Sequence, residues 1–177
     1  MSSNTDQSAT AGALATDSTS TSSKLALRIV IDDLSGPEIA ALLTEHVAEL
    51  GAQSPAESMH ALDLDALHRP EITVWSGWDG DTLAGCAALK QLDAEHAEIK
   101  SMRTAATHKR RGIASTLLRH LLAEATARGY RQVSLETGTQ DYFVPAQKLY
   151  AAHGFEFCAP FGNYKLDPYS HYMTRTL

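Results

Sequence analysis

Residues 97–130, AEIKSMRTAATHKRRGIASTLLRHLLAEATARGY, limit what this chain can fold into more than any other stretch. They read as a strand over Ala97–Thr104, a basic turn Thr-His-Lys-Arg-Arg-Gly over 107–112, and a long helix. In that helix Ile113, Leu117, Leu118, Leu121, Leu122 and Ala125 recur at helical spacing, so one face is apolar. Arg119, His120, Glu124 and Arg128 fall on or near the opposite face. Gly129 is a natural C-terminal stop.

A strand that feeds a helix through such a turn is suited to an anion. The first four N–H groups of a helix have no internal partner, and the macrodipole adds about half a positive charge there. Gly112 permits close approach to the backbone, and Lys109, Arg110 and Arg111 add side-chain charge. The expected guest is a phosphate or pyrophosphate. The turn is neither GxxxxGK[ST] nor GxGxxG.

The run Lys109-Arg110-Arg111-Gly112-Ile113-Ala114 resembles the acetyl-CoA signature of the GNAT N-acetyltransferases, Arg/Gln-x-x-Gly-x-Gly/Ala. A second run, AQKLYAAHGF over 146–155, resembles the A-x-x-L-Y-x-x-x-G-F helix and strand of the same family. The motifs EIKSMR, LETG and C-x-PFG-x-Y-x-x-DP are similar to those of small bacterial members. The resemblance spans roughly residues 25–177. It implies acetyl-CoA as cosubstrate, no metal, and an acceptor that is a small-molecule amine or a protein amine. A homodimer is compatible with it.

Composition narrows the function classes. One domain is expected for 177 residues, and a net charge of −6 argues against non-specific nucleic-acid binding, leaving the basic turn as a local site. No apolar run approaches the ~20 residues of a membrane span, and the N-terminus has no signal-peptide pattern. Cys86 and Cys158 lack metal-like spacing and read as reduced thiols of a cytoplasmic protein. His60, His68, His153 and His171 are scattered without metal spacing.

Residues 1–23, rich in Ser, Thr and Ala, are expected to be a disordered tail, with 24–177 as the folded domain. A first strand is predicted over 25–31, then a helix over 37–50 with Ser35 as candidate cap and Gly51 closing it. A second helix is predicted over 54–67, capped by Ser54, with Pro55 at its first position. The stretches 72–78 and 82–92 read as a hairpin about Asp79-Gly80, packed by Trp75 and Trp78. After the central helix come a strand at 132–136, a short helix at 145–153, and strands at 155–158 and 172–177. This order gives a mixed α/β (α+β) fold: one central sheet with helices on both faces. In the resembled family the sheet is mostly antiparallel, and the two strands flanking the central helix are parallel and splay apart to admit pantetheine.

Acyl transfer from a thioester to an amine needs a base for the ammonium, donors for the carbonyl oxygen, and an acid for the thiolate. No covalent enzyme intermediate is required, so neither cysteine has to be a nucleophile. Tyr150, at the family's Leu-Tyr position, is the candidate acid. Glu98, on the strand before the turn, is the candidate base, with Glu136 as runner-up; by alternation Glu98, Lys100 and Met102 would share a face. Met102, Arg103 and Thr104 would bond pantetheine through their backbone, and Lys109, Arg110, Arg111, Gly112, Ile113, Ala114 and Ser115 would hold the pyrophosphate. Lys109 keeps the charge but not the bidentate fork of arginine, and Phe143 stands where many members have an Asn that touches the cofactor. The loop carrying Tyr164, Asp167, Tyr169 and Ser170 is a candidate acceptor contact. Two other classes compete: a non-catalytic acyl-CoA-binding module, and a phosphate-binding interaction domain.

Overall fold

A computed structural model describes residues 26–177. The tail expected at 1–23 lies outside the described residues. In chain order the elements are β1 (Arg28–Ile31), α1 (Pro37–Gln53), α2 (Leu64–Leu67), β2 (Ile72–Asp79), β3 (Thr82–Gln91), β4 (His96–Thr104), α3 (Ile113–Ala127), β5 (Gln132–Gly138), α4 (Val144–Ala152), β6 (Glu156–Cys158) and β7 (Ser170–Thr176). The strands form one seven-stranded sheet, ordered β1-β2-β3-β4-β5-β7-β6. Every neighbouring pair is antiparallel except β4 and β5, which are parallel and joined through α3. The mixed, mostly antiparallel sheet is the fold class read from the sequence.

Two apolar layers sandwich the sheet. On one side the stripe of α3, Leu117, Leu118, Leu121 and Leu122, packs with Ala97, Ile99, Val133 and Leu135 of the central strands and with Tyr150 and Phe155. On the other side Ile39, Leu42 and Leu43 of α1 and Leu67 of α2 cover Val74, Leu83, Cys86 and Ala88. Each such leucine withdrawn from water contributes about 1.5–3 kcal/mol. α3 ends as expected: Gly129 is left-handed at φ +85, and the Tyr130 N–H reaches Ala125 O at 3.1 Å.

Several local expectations give way. The Asp79-Gly80 turn is displaced by one residue, because Asp79 pairs with Thr82 and the loop is Gly80-Asp81, with Gly80 left-handed at φ +59. α1 runs through Gly51 to Gln53, where the Ser54 N–H closes the last turn on Leu50 O at 3.1 Å, and one glycine costs the helix only about 1 kcal/mol. Ser35 does not cap it; Gly36 is the N-cap and Ser35 bonds Asp33 instead. The helix predicted over 54–67 is a 3-10 turn at Ala56–Ser58 and the short α2, capped by the Asp63 side chain on Ala66 N at 2.8 Å. The segment divides in two: residues 58–61 line the cavities, while Leu62, Leu64 and Leu67 pack on the core layer beneath α1, so no single helical face runs through it.

The alternation of Glu98, Lys100 and Met102 also fails, at a bulge. Pairing between β3 and β4 slips by one residue between Cys86 and Ala88, and Ser101 sits opposite with φ +50. Glu98 and Lys100 therefore lie toward α1, Met102 joins the layer beneath α3, and Arg103 returns to the α1 side. Beyond this point the central strands part. β4 and β5 pair only from His96↔Gln132 to Ile99↔Leu135, while β4 continues to Thr104 and β5 to Gly138.

Candidate active site

The parting strands open a cleft of about 460 Å³. Its walls are residues 99–104 of β4, residues 136–138 of β5, the C-terminal half of α1 with residues 54–61 after it, the first turn of α3, and one face of α4. Lys109 and Ala114 line the end beside the basic turn, and Tyr150 lines it from α4.

In the turn, Arg110 and Gly112 are both left-handed, at φ +61 and +79. A Cβ added at Gly112 would meet no atom within 4 Å, so the backbone there is open to a ligand. Asp79 pins the turn to the hairpin: its Oδ2 lies 3.1 Å from Arg111 Nη2 and 3.3 Å from Nε2 of the buried His108. Arg111 is thus already paired, whereas among the described residues Lys109 and Arg110 have no ion-pair partner. Ile113 is buried in the core, which leaves only its backbone N–H for a ligand. The Ser115 hydroxyl is shared between His153 Nε2 at 3.0 Å and Arg119 Nη1 at 2.7 Å, linking α3 to the end of α4.

Tyr150 packs edge-on against Phe155, and its hydroxyl has no hydrogen-bond partner among the described residues. Burial, and then the Glu136 charge, push its phenol up to about 12. Glu136 accepts a hydrogen bond from Ser170 Oγ at 2.7 Å, and burial raises its carboxyl above the ordinary carboxylate value. It is the one carboxylate that lines the cleft among the described residues. Glu98 lies elsewhere. It lines a neighbouring cavity of about 720 Å³, between residues 57–62 and the 161–167 loop. There its carboxylate accepts from Tyr164 Oη at 2.5 Å and from Lys100 Nζ at 3.2 Å. Lys100 faces both cavities, and its other protons go to His60 O at 3.0 Å and Tyr164 Oη at 2.8 Å. Within the 161–170 loop, then, Tyr164 and Ser170 reach the two glutamates, Asp167 caps the Tyr169 N–H at 2.8 Å, and Tyr169 is exposed.

A charged network not foreseen from the sequence borders the cleft. Arg103, only 7% exposed, forks onto Glu49 at 2.7 and 2.6 Å and reaches Glu45 at 2.7 Å. Tyr142 Oη donates to Glu49 at 2.7 Å, so a residue following β5 is tied to α1 across the cleft. Arg103 foremost, then Tyr142, hold the Glu49 carboxyl down to about 2. Phe143, in place of the family's Asn, lies against Gly138 so closely that a Cβ there would fall 2.2 Å from its ring. No local signal marks this network, since Tyr142 and its partner Glu49 stand 93 residues apart.

A splayed parallel pair at the centre of a mixed sheet, with a basic glycine turn at one end of the gap, is the arrangement expected of the resembled family. Residues 39–155 match the Acetyltransferase (GNAT) family. The chain is 52% identical over 151 residues to YsnE, an uncharacterised N-acetyltransferase of Bacillus subtilis, covering 85% of this chain and all of that protein. Among solved structures it is similar to an acyl-CoA N-acyltransferase of Klebsiella pneumoniae (TM-score 0.71, 21% identity, 86% of this chain and 99% of that one). It is also similar to a GNAT acetyltransferase of Elizabethkingia anophelis with acetyl-CoA bound (TM-score 0.60, 18% identity, 85% and 98%). The chain belongs to the GNAT family, which makes it an acetyl-CoA-dependent N-acetyltransferase.

Proposed function

We propose that the protein transfers the acetyl group of acetyl-CoA directly to a primary amine within one ternary complex. The observation that carries this reading is the convergence of Tyr150, Glu136 and the Lys109–Ala114 turn on the single cleft where β4 and β5 part. In this reading Lys109, Arg110 and the amides at the start of α3 hold the pyrophosphate, with Arg111 steadying the turn through Asp79. Met102, Arg103 and Thr104 have β3 beside them but no strand partner on the β5 side, and through that side their backbone bonds the pantetheine arm as a neighbouring strand would. Glu136, rather than Glu98, takes the ammonium proton: it faces the cleft, its raised pKa suits a base, and Glu98 is engaged by Lys100 and Tyr164.

Attack by the neutral amine on the thioester carbonyl forms the new C–N bond, and collapse breaks the C–S bond. Tyr150 then protonates the departing thiolate, and the second proton, shed by the acylated nitrogen, returns to the Tyr150 phenolate through solvent. The two groups are coupled, since the Glu136 charge is one cause of the raised Tyr150 pKa. Once Glu136 has accepted the amine's proton that charge is gone, and Tyr150 becomes a better acid as the thiolate forms.

Free-thiol release across a panel of amines with acetyl-CoA tests the activity. Tyr150→Phe should keep coenzyme A affinity and lower turnover by about 10²–10⁴. Glu136→Gln should cost more turnover than Glu98→Gln. The opposite ranking would return the base to Glu98, and full activity in Tyr150→Phe would leave Tyr150 as a packing residue.

A further inference from the structure

The basic turn takes its shape from outside itself. Between β4 and α3 the chain passes a 3-10 turn at Ala106–His108 and then two left-handed residues, Arg110 at φ +61 and Gly112 at φ +79. Glycine adopts that conformation freely, but a residue with a side chain seldom does, so Arg110 has to be held there. The holding contacts come from the β2–β3 hairpin. The Ala105 N–H donates to Ala84 O of β3 at 2.8 Å and docks the beginning of the turn. Asp79, the last residue of β2, holds both shoulders of Arg110. Its Oδ2 lies 3.3 Å from His108 Nε2 on one side and accepts from Arg111 Nη2 at 3.1 Å on the other.

His108 suits this contact. It is buried, and its Nδ1 lies 2.8 Å from Thr107 Oγ1. With Nε2–H directed at the carboxylate, Nδ1 accepts from the Thr107 hydroxyl, so one tautomer serves both partners. Arg111 is engaged by Asp79 and does not line the cleft, whereas Lys109 does. Lys109 and Arg110, which have no ion-pair partner among the described residues, are left for the two charges of a pyrophosphate. Beside them the N–H groups of Ile113, Ala114 and Ser115 precede the Thr116 N–H, which bonds Gly112 O at 3.0 Å.

On charge alone a carboxylate here is unfavourable, since Asp79 repels an anion and offsets one of three neighbouring cations. We propose that Asp79 is a positioning residue for the acyl donor: it clamps His108 and Arg111 so that the left-handed turn offers its amides, Lys109 and Arg110 to the pyrophosphate, and Arg111 acts through Asp79 rather than as a phosphate ligand. The proposal rests on the reading of the cleft as an acyl-CoA site. Fixing the turn outweighs the charge that Asp79 subtracts.

A clamp and a bystander charge predict opposite signs. Removing a bystander charge, as in Asp79→Ala, would tighten coenzyme A binding. The clamp predicts instead that calorimetric titration of the full chain gives a Kd raised by about tenfold or more, the size of one charged hydrogen bond. Asp79→Asn, which keeps an oxygen for one partner, should lose less. In steady state the loss should fall on KM for acetyl-CoA rather than on kcat. Arg111→Ala should weaken binding in the wild-type background but add less than about twofold on top of Asp79→Ala, because the two residues share one interaction. Acetyl-pantetheine, a donor without the pyrophosphate, separates the clamp from general damage to the fold. Asp79→Ala should lose about fivefold or more kcat/KM with acetyl-CoA relative to its loss with acetyl-pantetheine. Unchanged or tighter coenzyme A binding in Asp79→Ala, additive losses with Arg111→Ala, or equal losses with both donors would overturn the clamp. Should no amine be acetylated, the transfer reading fails by itself, and the coenzyme A titrations still decide the clamp. A wild-type chain that binds no coenzyme A removes the donor reading and the clamp with it.

Discussion

Replacing Arg103 by Met should destabilise the protein by about 1–3 kcal/mol. The guanidinium makes three bonds of 2.6–2.7 Å to two carboxylates and is only 7% exposed. Removing one partner of a fully buried pair costs about 3–5 kcal/mol, because the other charge is stranded. Here the stranded carboxylates are not fully buried: Glu45 is 49% and Glu49 35% exposed, so water can recover part of the loss. Methionine also keeps the apolar stem and relieves the buried, unpartnered Nε. For a chain of this size the melting temperature should fall by roughly 2–10 °C, and urea unfolding gives the free energy itself. The pH dependence is a second check. Glu49 has its pKa lowered from 4.5 to about 2, chiefly by Arg103, so its stabilisation is complete above pH 4.5 and is lost as pH falls through 2. The difference between wild type and Arg103→Met should therefore shrink over that window, and Arg103→Lys, which keeps charge without the fork, should fall between the two. A loss below about 0.5 kcal/mol, or a difference independent of pH from 5 to 2, would refute the reasoning.

Gly85→Ala should unfold or severely destabilise the chain, since a Cβ there would lie 2.6 Å from the backbone oxygen of Arg103; a melting temperature within about 2 °C of wild type would contradict that geometry. Gly112→Val should weaken coenzyme A binding by about tenfold or more, because a β-branched residue resists φ +79 and crowds the open turn; calorimetric titration reads it. The acidic limb of the kcat/KM profile should fall at a pH above an ordinary glutamate value, since burial raises the Glu136 pKa, and activity should drop as pH falls through it; Glu136→Gln should abolish that limb.

Much of this site could be read from residue order. The strand-turn-helix of 97–130 and the helix-strand of 146–155 are local signals, and they placed the basic turn, Tyr150 and the sheet with helices on both faces. The bulge at Ser101 is not local. It arises where β4 must satisfy β3, and it moved Met102 to the opposite layer and took the Glu98 alternation with it. Arg103 was read for its backbone alone, because its partners Glu45 and Glu49 stand more than fifty residues away, as do Tyr164 from Glu98 and Lys100. Which glutamate faces the cleft depends on which strands part, and no spacing rule reports that.

The gap between β4 and β5 is in effect a vacancy for one strand, and the guest proposed for it presents amides of its own. Recognition of that kind is blind to side chains, so almost any residue that keeps the strand geometry serves at positions 102 to 104, Thr104 included. The opposite holds for the α1 wall, whose form rests on individual side chains, Arg103 tied to Glu45 and Glu49 and Tyr142 tied to Glu49. One half of the site can drift in sequence and keep its form, while the other loses its form with a single substitution. A scaffold divided in this way holds one wall of its cleft by backbone geometry and the other by named side chains.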